Sequence, residues 1–108
     1  MKTITILLAL ILSLNANMTK PCERLAKKIG QQAPIYNELI ENKEYPLAHV
    51  IITRLVTNMS WIETECNKNN PYDAELIRGV YKHFDIYYNE KQALDKKYGK
   101  IEYMYEKD

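Results

Sequence analysis

The chain has 108 residues, with 15 lysines and arginines against 14 aspartates and glutamates. It is too short to divide into two domains of normal size. The balance of charge argues against nucleic acid or an anionic membrane as the partner, because both bind proteins through a concentrated basic surface.

Residues 1–16 have the pattern of a secretory signal peptide. Lys2 supplies a positive start, residues 4–14 form an almost unbroken apolar run, and Ala16 offers a small residue for cleavage. The run is shorter than the roughly 20 residues that span a bilayer, and an uncleaved anchor or a buried core helix is the alternative. We therefore expect a periplasmic or secreted protein in which residues 17–108 form a single helical domain that has no membrane contact after cleavage. Cleavage removes only Lys2 among the charged residues and leaves 14 basic and 14 acidic residues.

Cys22 and Cys66 are the two cysteines of the chain, and in an exported protein they are expected to pair. A disulfide between them would close a loop of about 44 residues and stabilise the fold by roughly 4 kcal/mol. Free thiols, a metal pair and an intermolecular bridge are the alternatives. A zinc site is disfavoured because the cysteines lack CxxC spacing and a nearby histidine.

The region after residue 17 predicts two short helical pieces. Thr19 can serve as an N-cap, and Gly30 is a natural end for the first piece. Pro34 begins the second piece, and residues 42–44 form a polar break. The apolar positions that recur at helical spacing in these pieces are Cys22, Leu25, Ala26, Ile29, Ile35, Tyr36, Leu39 and Ile40.

A long central helix is predicted to begin at Pro46 and to end at Cys66. Its apolar residues recur every three or four positions, and additional ones widen the stripe, which indicates a helix buried on more than one side. These residues are Leu47, Val50, Ile51, Ile52, Leu55, Val56, Met59 and Ile62. Residues 49–56 also have some β-branched character, but the length of the stripe favours a helix over a strand.

The last helix has the clearest start signal in the sequence. Asn70 is a good N-cap, Pro71 suits the first helical position, and Asp73 lies in the first turn, where the helix dipole favours an acidic residue. The helix is predicted to continue to about Tyr98, before Gly99. Residues 100–108 could extend it or form a flexible tail. The predicted fold is all-α, a small bundle of three to four helices stapled by Cys22–Cys66.

No catalytic constellation is visible in the sequence. His49 and His83 are the two histidines, and the first lies beside the apolar stripe, where a helix-surface residue or a boundary residue with satisfied hydrogen bonds is expected. His83 and Asp85 are two residues apart and would point in different directions on a helix. We therefore predict no enzymatic activity, no metal site and no cofactor.

Tyrosine is the unusual feature of the composition, with nine tyrosines and one tryptophan in the chain. Tyrosine combines a large contact area with a polar tip, which suits protein interfaces. For Tyr98, Tyr103 and Tyr105 an interface or self-association role is predicted. The alternative is packing on the central helix, which is the interpretation favoured for Tyr81, Tyr87 and Tyr88.

The arrangement around the two cysteines resembles the HdeA/HdeB-type periplasmic proteins. The segment that carries the resemblance is Ile62-Glu63-Thr64-Glu65-Cys66-Asn67-Lys68-Asn69-Asn70-Pro71, followed by Leu76, together with Cys22 and Leu25 at the start of the first helix. The resemblance implies a one-disulfide helical fold. It also implies an acid-stress chaperone that is dimeric at neutral pH and shields unfolding proteins through apolar surface of the central helix. The matching apolar stretch here is Val50, Ile51, Ile52, Leu55 and Val56.

Two functions remain as expectations. In the first, the protein is an exported protein-binding module that acts as an acid-activated chaperone. In the second, it is an inhibitor or immunity-type protein that binds one specific exported enzyme through a tyrosine-rich C-terminal face. Both imply other proteins as partners, a homodimer among them.

Overall fold

The computed structural model describes residues 17–106, which form four helices and no strand. In chain order these are α1 (Lys20–Glu41), α2 (Tyr45–Ser60), α3 (Ile62–Glu65) and α4 (Pro71–Tyr98). The predicted all-α bundle of three to four helices is confirmed. The predicted signal peptide, residues 1–16, lies outside the described residues.

Helix α1 is continuous, and the predicted end at Gly30 is wrong. The helix passes through Gly30 and contains Pro34 in its interior, although this proline cannot donate a hydrogen bond to the carbonyl four residues earlier. Ile29, Ala33 and Tyr36 are buried on the same face on both sides of this point. Packing of this face outweighs the local preference to end the helix. The predicted polar break at 42–44 is confirmed, because α1 ends at Glu41 and α2 begins at Tyr45.

Helix α2 is the central element and packs against both α1 and α4. Its buried apolar residues are Ala48, Ile52, Leu55, Val56 and Met59. Burial on two sides agrees with the wide apolar stripe in the sequence, and residues 49–56 are helical. The predicted continuous helix to Cys66 is interrupted at Trp61, after which α3 adds a single turn.

Helix α4 starts and ends where the sequence predicts. The side chain of Asn70 accepts hydrogen bonds from the main-chain N–H groups of Tyr72 and Asp73, as an N-cap does. The helix ends at Tyr98, and Gly99 follows with a φ of 88°, a conformation that favours glycine. These local signals therefore fix both ends of a 28-residue helix.

The disulfide between Cys22 and Cys66 is present, and both cysteines are buried. Beside it lies Asp73, which is 0% exposed. Its two carboxylate oxygens accept hydrogen bonds from the main-chain N–H of Thr19 at 3.0 Å, from the Thr19 hydroxyl, and from the main-chain N–H of Asn67 at 2.8 Å. Thr19 occupies the predicted N-cap position, but its hydroxyl donates to Asp73 and makes no capping bond to its own helix. We call the disulfide and Asp73 together the clasp.

Replacement of Asp73 by alanine is expected to lower the free energy of unfolding by about 3 kcal/mol, because three donors near the disulfide would lose their acceptor. Urea unfolding of the oxidised protein at pH 7 measures this change. Asp85→Ala is the matched control, since Asp85 is an exposed aspartate on the same helix. Equal stability of the two variants would show that the Asp73 carboxylate contributes nothing to the stability of the fold.

Candidate functional site

The apolar stretch that the resemblance marks as client-binding lies mostly inside the bundle. Ile52, Leu55 and Val56 are buried in the core, and Val50 and Ile51 are half-buried. In this closed arrangement the stretch offers little surface to a partner. It would become available only if α1 or α4 moved away from α2.

The C-terminal half of α4 is attached to α2 through a charged group of three side chains. His49 of α2 is 2% exposed, and its Nε2 lies 2.7 Å from Oδ1 of Asp95 on α4. Lys91, one turn earlier on α4, donates from Nζ to the other oxygen, Oδ2, also at 2.7 Å. We call His49, Lys91 and Asp95 the latch. The histidine is therefore buried and hydrogen-bonded, so it does not lie at the helix surface and is closer to the second expectation, a boundary residue with a satisfied ring.

Asp95 is held in its charged form by the other two members of the latch. Partial burial of the carboxyl opposes ionisation and is the largest single influence. The hydrogen bonds from Lys91 and His49 and the attraction of their charges together outweigh it, so the pKa of Asp95 lies below its ordinary range. The Tyr98 ring packs on the same histidine, with 6.0 Å between ring centroids. Lys97 lies over the rings of both Tyr98 and Tyr45, 5.4 Å from each centroid.

His83 is a second titratable group in the interior of α4. It is 8% exposed, and its Nδ1 is buried without a hydrogen-bond partner among the described residues. Burial lowers the pKa of His83, and the charge of the adjacent Lys82 acts in the same direction. The structure agrees with the expectation that Asp85 does not pair with it, because Asp85 is exposed on another side of the helix.

Residues 100–106 are not helical and lie against the body of the protein. Tyr103 lies under the guanidinium of Arg54, 5.7 Å from ring centroid to Cζ. Tyr105 stacks on Trp61 with a centroid distance of 4.4 Å and an interplanar angle of 9°. All three tyrosines predicted as interface residues therefore have partners within this chain, although Tyr98, beside His49 and Lys97, is still 41% exposed.

The tyrosines expected to pack on the central helix have different environments. Tyr87 is buried, but it meets Tyr36 of α1 edge to face at 6.1 Å. The hydroxyl of Tyr36 donates to Glu90 at 2.6 Å, and burial together with this carboxylate raises the pKa of Tyr36. Tyr81 and Tyr88 are 52% and 40% exposed. The interpretation as packing residues therefore suits Tyr87 alone, and its partner is on α1.

The described residues contain one group of side chains close enough to share a metal ion, namely Cys22, Cys66 and Asp73. Both sulfurs of this group are consumed by the disulfide, which leaves a single carboxylate that already accepts three hydrogen bonds. These three side chains therefore hold the fold together and do not form a set of free metal ligands. No helix among residues 17–106 is long and apolar enough to cross a membrane.

Several candidate functional contacts could not be predicted from the sequence, because the two residues of each contact are distant along the chain. His49 and Asp95 are 46 residues apart, and Tyr105 and Glu65 are 40 apart. One signal was readable: Lys91 and Asp95 have the four-residue spacing of a helical ion pair. Their burial against His49 could not be foreseen from that spacing.

The free energy of unfolding is expected to fall in two stages as the pH is lowered. The folded state disfavours the charged form of His83, so stability is lost as the pH falls below about 6.5, the ordinary value for an unfolded histidine. The folded state favours the charged form of Asp95, so a second loss follows as the pH falls below about 3.9. Urea unfolding at a series of pH values measures both stages.

Two variants separate the stages. His83→Gln should flatten the first, and Asp95→Asn should flatten the second while costing about 1 kcal/mol at pH 7 through the lost charged hydrogen bonds. Asp85→Asn serves as the control and should retain both. A stability profile for the unmodified protein that is level from pH 7 to pH 3 would contradict this assignment.

Comparison of the chain with protein-family models, curated proteins and solved structures finds no match.

Proposed function

We propose that this chain is an exported, non-enzymatic protein-binding module that exposes apolar surface in acid and protects other proteins from aggregation there. Such an activity is the one implied by its resemblance to the HdeA/HdeB-type proteins. A disulfide is consistent with a periplasmic or extracellular location. The observation that carries the proposal is the latch.

The latch joins α2 to α4 through a single carboxylate between two basic groups. Asp95 accepts from His49 on one oxygen and from Lys91 on the other. The folded state keeps the pKa of Asp95 below its ordinary range, so this carboxylate is protonated only in strong acid. Protonation removes the negative charge that strengthens both hydrogen bonds, and the contact between α2 and α4 is then weakened.

The clasp and the latch lie at opposite ends of α4. Asp73 is in the first turn, and Asp95 is 22 residues later, which corresponds to about 33 Å along a helix. The clasp end is additionally secured through the covalent bond between Cys22 and Cys66. Acid therefore loosens the latch end of α4, whereas the disulfide keeps the chain before α4 attached to α1 at the clasp end.

Apolar surface lies directly behind the latch. Ile52, three residues after His49, is fully buried, and Leu55 and Val56 follow it in the core. Leu94, beside Asp95, packs against the same core cluster. Movement of the C-terminal half of α4 away from α2 would expose this stretch, which is the one that corresponds to the client-binding segment in the resemblance.

The overall charge of the protein also favours opening of the bundle in acid. Residues 17–108 contain 14 basic and 14 acidic side chains, so protonation of the carboxylates leaves all the basic groups uncompensated. Self-repulsion of this kind expands proteins in acid while their helices persist. The latch would determine which part of the bundle opens first.

The test is suppression of aggregation of a model client protein at pH 2–3 by residues 17–108 with the disulfide intact. Protection is expected in acid and is expected to be absent at pH 7. Asp95→Asn imitates the protonated carboxyl and should move the onset of protection to higher pH, whereas the control Asp85→Asn should leave the onset unchanged. Absence of protection in acid would refute the proposal.

The second candidate is a dedicated binder of one exported protein. The observation that favours it is aromatic surface already exposed at neutral pH on α4, at Tyr81, Tyr88 and Tyr98. Circular dichroism and light scattering from pH 7 to pH 2 distinguish the two candidates. A protein that keeps its tertiary signal and its mass throughout this range would favour the dedicated binder.

A further inference from the structure

The segment after α4 has the exposure pattern of an extended strand. From residue 100 to residue 106 every second side chain is half-buried, and those between are exposed. The inward side chains are Ile101, Tyr103 and Tyr105. Met104, between the two tyrosines, is 85% exposed. The segment therefore presents an apolar-x-aromatic-x-aromatic face to the body of the protein.

A groove on the body receives this face. Arg54 of α2 and Trp61, the residue that follows the last residue of α2, are seven residues apart, which places them about two helical turns from each other on one side. The Arg54 guanidinium covers the Tyr103 ring, and the Trp61 indole stacks on the Tyr105 ring. Glu65 of α3 accepts a hydrogen bond from the Tyr105 hydroxyl at 3.3 Å.

The other wall of the groove is formed by Lys28 of α1. Its Nζ lies 5.6 Å from the centroid of the Tyr105 ring and donates to the main-chain carbonyl of Glu106 at 2.9 Å. A main-chain carbonyl is offered by any residue, so this bond does not depend on the side chain at position 106. We call Lys28, Arg54, Trp61 and Glu65 the tail groove.

The path of the segment confirms that it is extended. Tyr98 lies beside His49, and Tyr105 lies beside Trp61. The twelve residues from His49 to Trp61 cover about 18 Å along α2. The seven steps from Tyr98 to Tyr105 reach about 23 Å in an extended conformation. A helical continuation of α4 would be too short to make both contacts.

Attachment to the groove is through side chains. In the described part of the chain, no hydrogen bond between two main-chain groups joins residues 100–106 to the helices, and Lys28 reaches the Glu106 carbonyl with its side chain. The groove contacts two ring faces, one phenol hydroxyl and one main-chain carbonyl, at spacings that an unrelated extended segment can also supply. Another extended segment could therefore replace residues 100–106 in the groove without disturbing the helices.

We propose that the tail groove is a binding site for an extended segment of another protein that carries aromatic side chains at alternate positions. Residues 101–106 occupy it in cis as a tethered competitor. The proposal rests on the protein-binding part of the proposed function and is independent of its acid activation. It names the recognised partner as an extended, aromatic-rich segment, such as an unfolded chain offers.

Trp61 is the only tryptophan of the chain, so its fluorescence reports on the groove directly. In residues 17–108 carrying Tyr103→Ala and Tyr105→Ala, Trp61 emission at pH 7 should move to longer wavelength. Met104→Ala, which changes an outward side chain of the same segment, is the matched control and should leave the emission unchanged. A chain ending at Gly99 should behave as the double variant does.

Two peptides are then added to the double variant. One has the sequence of residues 100–108, and the other keeps only the apolar-x-aromatic-x-aromatic spacing in an unrelated sequence. Both should reverse the emission change and saturate. Both should bind roughly tenfold or more tightly to the double variant than to the intact chain, where the tethered segment competes at high effective concentration. Adding Arg54→Ala to the double variant should weaken binding by roughly two- to fivefold.

Three outcomes would overturn the proposal. Unchanged emission in the double variant would show that the segment does not cover Trp61. If the peptide of residues 100–108 binds and the unrelated peptide does not, the groove is specific for the chain's own C-terminal segment. A concentration-dependent dimer of the intact chain that the double variant lacks would assign the groove to the tail of a second copy. All of these are measured at pH 7, so they are distinct from a failure of the acid aggregation assay.

Discussion

The buried carboxylate of Asp73 beside the Cys22–Cys66 disulfide is the constraint on which the arrangement of the helices depends. It accepts hydrogen bonds from Thr19, before α1, and from Asn67, after α3, while it belongs to the first turn of α4. A buried carboxylate is costly unless its oxygens are satisfied, and here three donors satisfy them. The disulfide alone would join α1 to the end of α3. The carboxylate adds α4 to that junction and so sets the direction in which the longest helix leaves it.

Local signals were sufficient to predict the ends of α4 and the class of the fold. The Asn70-Pro71 step and Gly99 act on their immediate neighbours, and their effects survive in the folded chain. The same reasoning failed at Gly30 and Pro34, because burial of Ala33 and Tyr36 rewards a continuous helix more than these residues penalise it. Tertiary packing at that point cannot be read from a short window of sequence.

The candidate sites were less predictable than the fold. His49 was visible as a residue beside an apolar stripe, but its partner Asp95 lies on another helix. The sequence shows that tyrosine is concentrated near the C-terminus. That Tyr103 and Tyr105 turn back onto α2 and α3 depends on Arg54, Trp61 and Glu65, which carry no pattern linking them to the tail. Side-chain pairs of this kind depend on the path of the whole chain.

The position of the disulfide also divides the protein into two unequal parts for amide hydrogen exchange. The bond encloses α2, α3 and all but the first two residues of α1 in one covalent loop, and it leaves α4 and the C-terminal segment outside it. Openings inside the loop must displace helices that are crosslinked at its ends, whereas α4 can detach from its far end without breaking a covalent bond. Sub-global opening should therefore begin at the C-terminal turns of α4, where protection factors would be lowest among the helices, and it should reach α1 and α2 only at the free energy of global unfolding.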